Sequence, residues 1–69
     1  MKAIQNHSGD IFSVDAIVTN GKGLRGKVTY VNEEFDSMDV MVYYDNGNLE
    51  TPYKLHLDFE EIDDWQTIF

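Results

Sequence analysis

Asp39-Val40-Met41-Val42-Tyr43-Tyr44-Asp45-Asn46-Gly47-Asn48 is the most legible stretch of this 69-residue chain. β-Branched and aromatic residues crowd its first half, as they do in strands. Asn46-Gly47 suits the paired positive-φ positions of a tight hairpin turn. A strand over Asp39–Tyr44 therefore turns back at 45–48 and pairs with a further strand running from Leu49 to about Leu57. On that strand Leu49, Thr51, Tyr53, Leu55 and Leu57 share one face, and Glu50, Pro52, Lys54 and His56 share the other. Pro52 cannot donate to a ladder, which sets this strand at a sheet edge.

Working outward, residues Ile11–Thr19 alternate with a period of two, Phe12, Val14, Ala16 and Val18 against Ser13, Asp15 and Ile17, the pattern of a half-buried strand. The glycines of Asn20-Gly21-Lys22-Gly23-Leu24-Arg25-Gly26 mark a loop. A second alternating strand covers Lys27–Asn32, and Glu33 to Met38 reads as a polar connection. The tail admits two readings, since Phe59, Ile62, Trp65 and Phe69 suit one helical face whereas Trp65, Thr67 and Phe69 alternate; the favoured one is a short helical turn at Phe59–Ile62 followed by a fifth strand. The fold class is thus all-β: a small five-stranded barrel with a short helical turn near the C-terminus, since closure removes edges that would otherwise aggregate. Residues 1–10 read as a flexible N-terminus and 11–69 as a single domain. Its core is expected to hold Val14, Val18, Val28, Tyr30, Val40, Val42, Leu55 and Ile62.

Length and composition narrow the classes. A chain this short buries only about 60% of its unfolded surface, yet an apolar share of 42% is ample for folding. Without cysteine there is neither a disulfide framework nor a thiolate metal site, and a reducing, cytoplasmic setting fits best. No stretch approaches the roughly 18 apolar residues of a membrane span, so no membrane partner is expected. The net charge of −8 is unevenly divided. Residues 1–32 carry four Lys/Arg against two acids, and residues 33–69 carry one Lys against eleven acids. Such a field attracts basic proteins and repels nucleic acid.

The run Gly26-Lys27-Val28-Thr29-Tyr30-Val31, followed by Val40-Met41-Val42-Tyr43-Tyr44-Asp45-Asn46-Gly47, resembles the SH3-like barrels of the Tudor and KOW type. In those families a glycine-led strand precedes a hairpin with an aspartate-glycine turn. The likeness covers roughly residues 12–62. It implies the barrel fold and a general habit of binding nucleic acid, modified tails or protein segments, with no particular ligand.

Several motifs carry chemistry on paper. Gly21, Gly23 and Gly26 spell G-x-G-x-x-G, but a strand follows where a dinucleotide fold needs a helix. Lys22, Arg25 and Lys27 beside them form a basic cluster that would bind nucleic acid with steep salt dependence, the alternative function. Asp45-Asn46-Gly47-Asn48 with Glu50 lacks the spacing of a calcium loop, and His7 and His56 have no partners at metal-ligand spacing. No metal, cofactor or catalytic residue is assigned, and a barrel this small is not expected to be an enzyme. Tyr30, Tyr43, Tyr44, Tyr53 and Trp65 could line an aromatic cage for a methylated amine, as the Tudor likeness implies. Strand parity sends adjacent Tyr43 and Tyr44 to opposite sides, leaving one exposed.

Two acidic runs interleaved with aromatics are the leading candidates for a partner site: Glu33, Glu34, Phe35, Asp36 and Asp39, then Asp58, Glu60, Glu61, Asp63, Asp64 and Trp65, with Tyr43 as an exposed contact. Carboxylates supply steering and aromatics supply hot-spot energy. The expected function is a non-catalytic acidic interaction module that docks on a basic surface of a nucleic-acid-handling protein, imitating nucleic acid by charge. Its size suits a regulator or inhibitor of the kind mobile elements encode. A homodimer through an exposed apolar face at Ile17, Val31 and Met41 is a further reading.

Overall fold

The computed structural model describes residues 2–47 and 51–68. Seven strands follow one another there: β1 (Ala3–Gln5), β2 (Ile11–Ser13), β3 (Ile17–Thr19), β4 (Leu24–Asn32), β5 (Ser37–Asp45), β6 (Tyr53–Leu57) and, after a 3-10 turn at Glu61–Asp64, β7 (Gln66–Ile68). β1 and β2 form a two-stranded antiparallel ribbon, and the other five form an antiparallel sheet ordered β6-β5-β4-β3-β7. β6 and β7 stand at its margins.

Both strands of the central β4–β5 hairpin are nine residues long, and the chain departs from strict alternation twice within it. Between Arg25↔Tyr44 and Gly26↔Val42 the residue Tyr43 has no opposite number, and between Val28↔Val40 and Tyr30↔Asp39 the extra residue is Thr29. Each is a bulge, which resets which side chains face inward. Val28 and Val31 are three residues apart yet both are buried. Tyr30, expected in the core, is 50% exposed. Val31, expected on an exposed face, is buried, so the apolar face proposed at Ile17, Val31 and Met41 does not form. Tyr43 and Tyr44 both point outward, correcting the expectation that one lies inside.

The segment read as one strand from Ile11 to Thr19 is two. Asp15 adopts φ 77°, and the Ala16 amide donates to the Ser13 carbonyl at 3.0 Å, folding a turn between β2 and β3. Aspartate tolerates this left-handed conformation better than most residues. Val14 sits in the turn and is 47% exposed, so it too leaves the expected core. β4 begins at Leu24 rather than Lys27, β5 extends one residue or two beyond Asp39–Tyr44 at each end, and the helical turn lies at Glu61–Asp64 rather than Phe59–Ile62. Asn46 and Gly47 take φ 52° and 80°, the positive values expected of them. Asn48, Leu49 and Glu50 lie outside the described residues, so the expected strand start at Leu49 is not described; β6 begins at Tyr53, just after Pro52.

Phe12, Val18, Val28, Val31, Met38, Val40, Val42, Leu57, Ile62 and Trp65 fill the interior, joined by Ile4 from β1 and flanked by half-buried Ala16, Leu24 and Leu55. Ile4 shows that the first ten residues, set apart by the sequence reading, contribute to the domain's core. Asn6 explains how they are held. This buried side chain donates through Nδ2 to the carbonyls of Ile62 at 3.2 Å and Trp65 at 2.9 Å, while its Oδ1 accepts the amides of Ser8 and Asp10. One amide thus organises the β1–β2 turn and ties it to the 3-10 turn, 56 and 59 residues away.

Gly26 is needed for a different reason. A Cβ there would lie 2.5 Å from Val40 Cγ1 and 2.6 Å from the Met41 carbonyl oxygen, so the central hairpin closes over a missing side chain. Gly26→Ala is expected to destabilise the fold by about 1–3 kcal/mol through overpacking, read as a lower denaturant midpoint at unchanged slope. Asn6→Ala should cost a similar amount, about 1–3 kcal/mol for the buried groups left unpaired. Its hydrogen-exchange signature should be distinct, with amides of residues 3–13 and 61–68 losing protection before those of β4 and β5.

Candidate functional site

Met38 and Leu57 are cross-strand partners. The connection before β5 and the segment after β6 therefore leave the sheet at the same end, and the two acidic runs meet there. Asn32 Oδ1 accepts the amides of Glu34 at 2.9 Å and Phe35 at 3.2 Å, and Asp36 turns the chain with φ 50°. This turn holds Phe35 out, 64% exposed. On the other side the amides of Glu61 and Ile62 donate to the Asp58 carbonyl, and Glu61 Oε1 accepts the Asp58 amide at 3.1 Å. The reciprocal bonds between Asp58 and Glu61 fix the start of the turn. They project Phe59, 56% exposed, from the same end. Two exposed phenylalanines thus stand among Glu33, Glu34, Asp36, Asp58, Glu60 and Glu61, all of them exposed.

The runs are joined by a residue that sequence spacing did not single out. His56 lies across from Asp39, its Nδ1 2.7 Å from Asp39 Oδ1 and its Nε2 3.1 Å from Asp58 Oδ1. With a carboxylate at each nitrogen, the imidazolium is the form that donates to both. His7 plays a similar part elsewhere: its amide donates to Asp63 Oδ1 at 2.8 Å and its Nδ1 lies 2.6 Å from Asp63 Oδ2. Asp63 is therefore occupied in linking the β1–β2 turn to the 3-10 turn. Strand register places residues 39 and 56 together, and the docking of the β1–β2 turn on the 3-10 turn places 7 and 63 together; neither is visible in a single sequence.

Two expected members leave the site. Trp65 is buried, its amide bonded to the Ile62 carbonyl, and packs in the core because the turn before β7 directs it inward. Tyr43 lies six residues along β5 from Ser37, about 20 Å from the acidic end. Asp64 is exposed on the 3-10 turn. The proposed aromatic cage is likewise divided, with Trp65 inside and Tyr30 separated along β4 from Tyr43 and Tyr44.

The basic cluster forms part of a separate surface. Lys54, Met41, Lys27, Ile17 and Ile68 are successive partners across all five strands, a lateral row on the outer face of the sheet. Lys27 Nζ is 3.8 Å from Asp15 Oδ1, and the Arg25 guanidinium lies 5.6 Å over the Tyr44 ring. Lys22 stays in the glycine loop, whose amides are turned inward: those of Lys22 and Leu24 donate to Asn20 Oδ1 and that of Gly21 to Thr19 Oγ1. Asn46 N–H also donates to the Gly23 carbonyl, packing this loop on the hairpin turn. Among the described residues no group of three or more His, Asp or Glu side chains could hold a metal ion, and no helix is long and apolar enough to cross a membrane. The chain matches no protein-family model, no curated protein and no solved structure.

Both histidines hold their protons more tightly than a free imidazole. For His7 the Asp63 hydrogen bond is the main cause, with its charge adding to it. For His56 the Asp39 hydrogen bond outweighs the loss of hydration, and Asp58 reinforces it. Asp63 is held below the usual carboxylate value, first by the His7 amide and then by the ring. A raised imidazole pKa stabilises the fold in full below its ordinary value of 6.5, and that contribution is lost as pH rises through the raised value. Asp63 acts in the opposite sense, contributing above 3.8 and fading as acid protonates it. In an NMR pH titration both imidazoles are expected to titrate above 6.5. Asp63→Asn should return His7 toward its ordinary value and leave His56 in place; a His7 midpoint that does not move would mean the pair is not formed in solution.

Proposed function

We propose that this protein is a non-catalytic interaction module whose acidic end docks on a basic surface of a nucleic-acid-handling protein. The observation that carries this reading is the Met38↔Leu57 register, which gathers both acidic runs and the exposed rings of Phe35 and Phe59 at one end of the sheet. The carboxylates would steer encounter and fix orientation, and the two phenyl rings would supply the buried contact at its centre. Clustered acids of this density imitate the charge of a nucleic-acid backbone, which suits a stoichiometric regulator or inhibitor of the mobile-element type. A cytoplasmic setting agrees with the lack of cysteine.

The SH3-like barrel is the fold we infer for this module. It is supported by the order β6-β5-β4-β3-β7, in which a strongly bulged central hairpin is followed by an edge strand, a 3-10 turn and a last strand that returns to pair with β3. A second reading rests on the outer face, where Arg25 over Tyr44 and the Lys27–Met41–Lys54 row combine cations with stacking surface, as in single-strand nucleic-acid platforms.

The two readings separate in a capture experiment from nuclease-treated lysate. Glu34, Glu60 and Asp64 form no side-chain hydrogen bond among the described residues, so changing all three to Lys tests charge without breaking the fold. That variant should lose a basic protein retained by the wild type. Phe35→Ser with Phe59→Ser, which leaves the charge intact, should weaken the same complex by at least about tenfold, as hot-spot removal does. Unaltered capture by both variants refutes acidic docking. Retention of nucleic acid alone when the nuclease is left out, abolished by Arg25→Ala, Lys27→Ala and Lys54→Ala together, would establish the second reading instead.

A further inference from the structure

β6 has a partner on one side only. β5 pairs with Tyr53–Leu57 residue by residue and without a bulge, and among the described residues no backbone group of β6 is bonded on its other side. Edge strands of this kind are templates for a further strand unless something blunts them. Pro52 stops the ladder at one end and the turn at Asp58 stops it at the other, so the open segment is five residues long.

We propose that β6 pairs antiparallel with β6 of a second copy of this chain about a twofold axis at Leu55. Three features of the strand favour its own copy over a generic one. The axis sets Leu55 against Leu55, Tyr53 against Leu57 and Lys54 against His56. This keeps the inward residues together on one face of the joined sheet and the polar residues together on the other, as a twofold perpendicular to the sheet demands. It matches charge as well. His56 sits between Asp39 and Asp58, so the group that Lys54 meets holds two carboxylates and a single imidazole and is net negative. Symmetry supplies that attraction twice. Moving the axis to Lys54 instead brings two ammonium groups together and sets Pro52, which has no N–H, opposite His56. Lys54 therefore acts as a gatekeeper against unrelated strands while being complementary to its own.

The experiment is the mass of the chain by light scattering and sedimentation from about 1 μM to about 1 mM, alongside disulfide trapping. A concentration-dependent dimer is expected. Lys54→Glu should raise its dissociation constant by about tenfold or more, since two cross-strand pairs turn from attraction to repulsion, and adding His56→Lys should restore it. The chain has no cysteine, so in Leu55→Cys oxidation reports position 55 alone. Directly opposed cross-strand residues lie within disulfide reach, so this variant should link to itself, whereas Tyr53→Cys, which faces Leu57, should not. Circular dichroism of each variant confirms that its strands are intact. A single-chain mass across the whole range, a dimer indifferent to Lys54→Glu, or equal linking at 53 and 55 overturns the proposal. So does a β6 edge that gains hydrogen-exchange protection only when a segment of another protein is added.

Discussion

Inside–outside parity on the central hairpin is the constraint to which everything else in this domain answers. Nine residues of β4 and nine of β5 line the core, and a strictly alternating hairpin would drive the polar-tipped Tyr30 and Tyr44 into it. The bulges at Tyr43 and Thr29 prevent this, one on each strand. Each inserts a residue, and beyond it the small β-branched chains face in while the phenols face out. Gly26, beside the first bulge, lets Val40 and the Met41 backbone close over the gap. The bulges also add twist, which bends a sheet toward itself. The two bulges thus set the core, the curvature and the composition of the outer face together.

The sequence was readable where signals are local and misleading where they depend on register. Asn46-Gly47 announced a turn because positive φ is a property of two residues, and the strand character of 39–44 needed only its side chains. The Pro52 argument for an edge depended on one missing N–H. By contrast, nothing in Lys27-Val28-Thr29-Tyr30-Val31 says that alternation fails at Thr29. The break at Asp15 was likewise hidden, since Phe12, Val14, Ala16 and Val18 keep a perfect period of two across a turn. The site divides the same way. Acidic runs can be counted in sequence, and their meeting at one end follows from the hairpin partner already expected. The removal of Trp65 to the core, and the placing of His56 between Asp39 and Asp58, required knowing which residue faces which.

Charge is segregated along the strands. Arg25, Lys27 and Lys54 occupy the outer face toward the middle and the glycine-loop end, and the carboxylates cluster where β5 begins and β6 finishes. The protein is in effect a small dipole with an excess negative charge. Such a body orients during approach, presenting its acidic end to a positive potential before any contact forms. The His56 bridge to Asp39 and Asp58 tempers the self-repulsion of the acidic end by placing a cation within it when the imidazole is protonated.

The amide of Asn6 has a consequence for the order in which the chain can fold. The β4–β5 hairpin is local and can close as soon as residues 24–45 are available. The ribbon of β1 and β2 is made first and packs Ile4 and Phe12 on the core, but its turn gains the Asn6 bonds to the carbonyls of Ile62 and Trp65 only when those residues arrive. β3 pairs with β4 once the hairpin forms and gains its second partner only with β7. Contacts spanning nearly the whole chain close large loops late and slow the search. The N-terminal ribbon and the β3–β7 pairing are therefore completed after the central hairpin, once residues 61–68 are available.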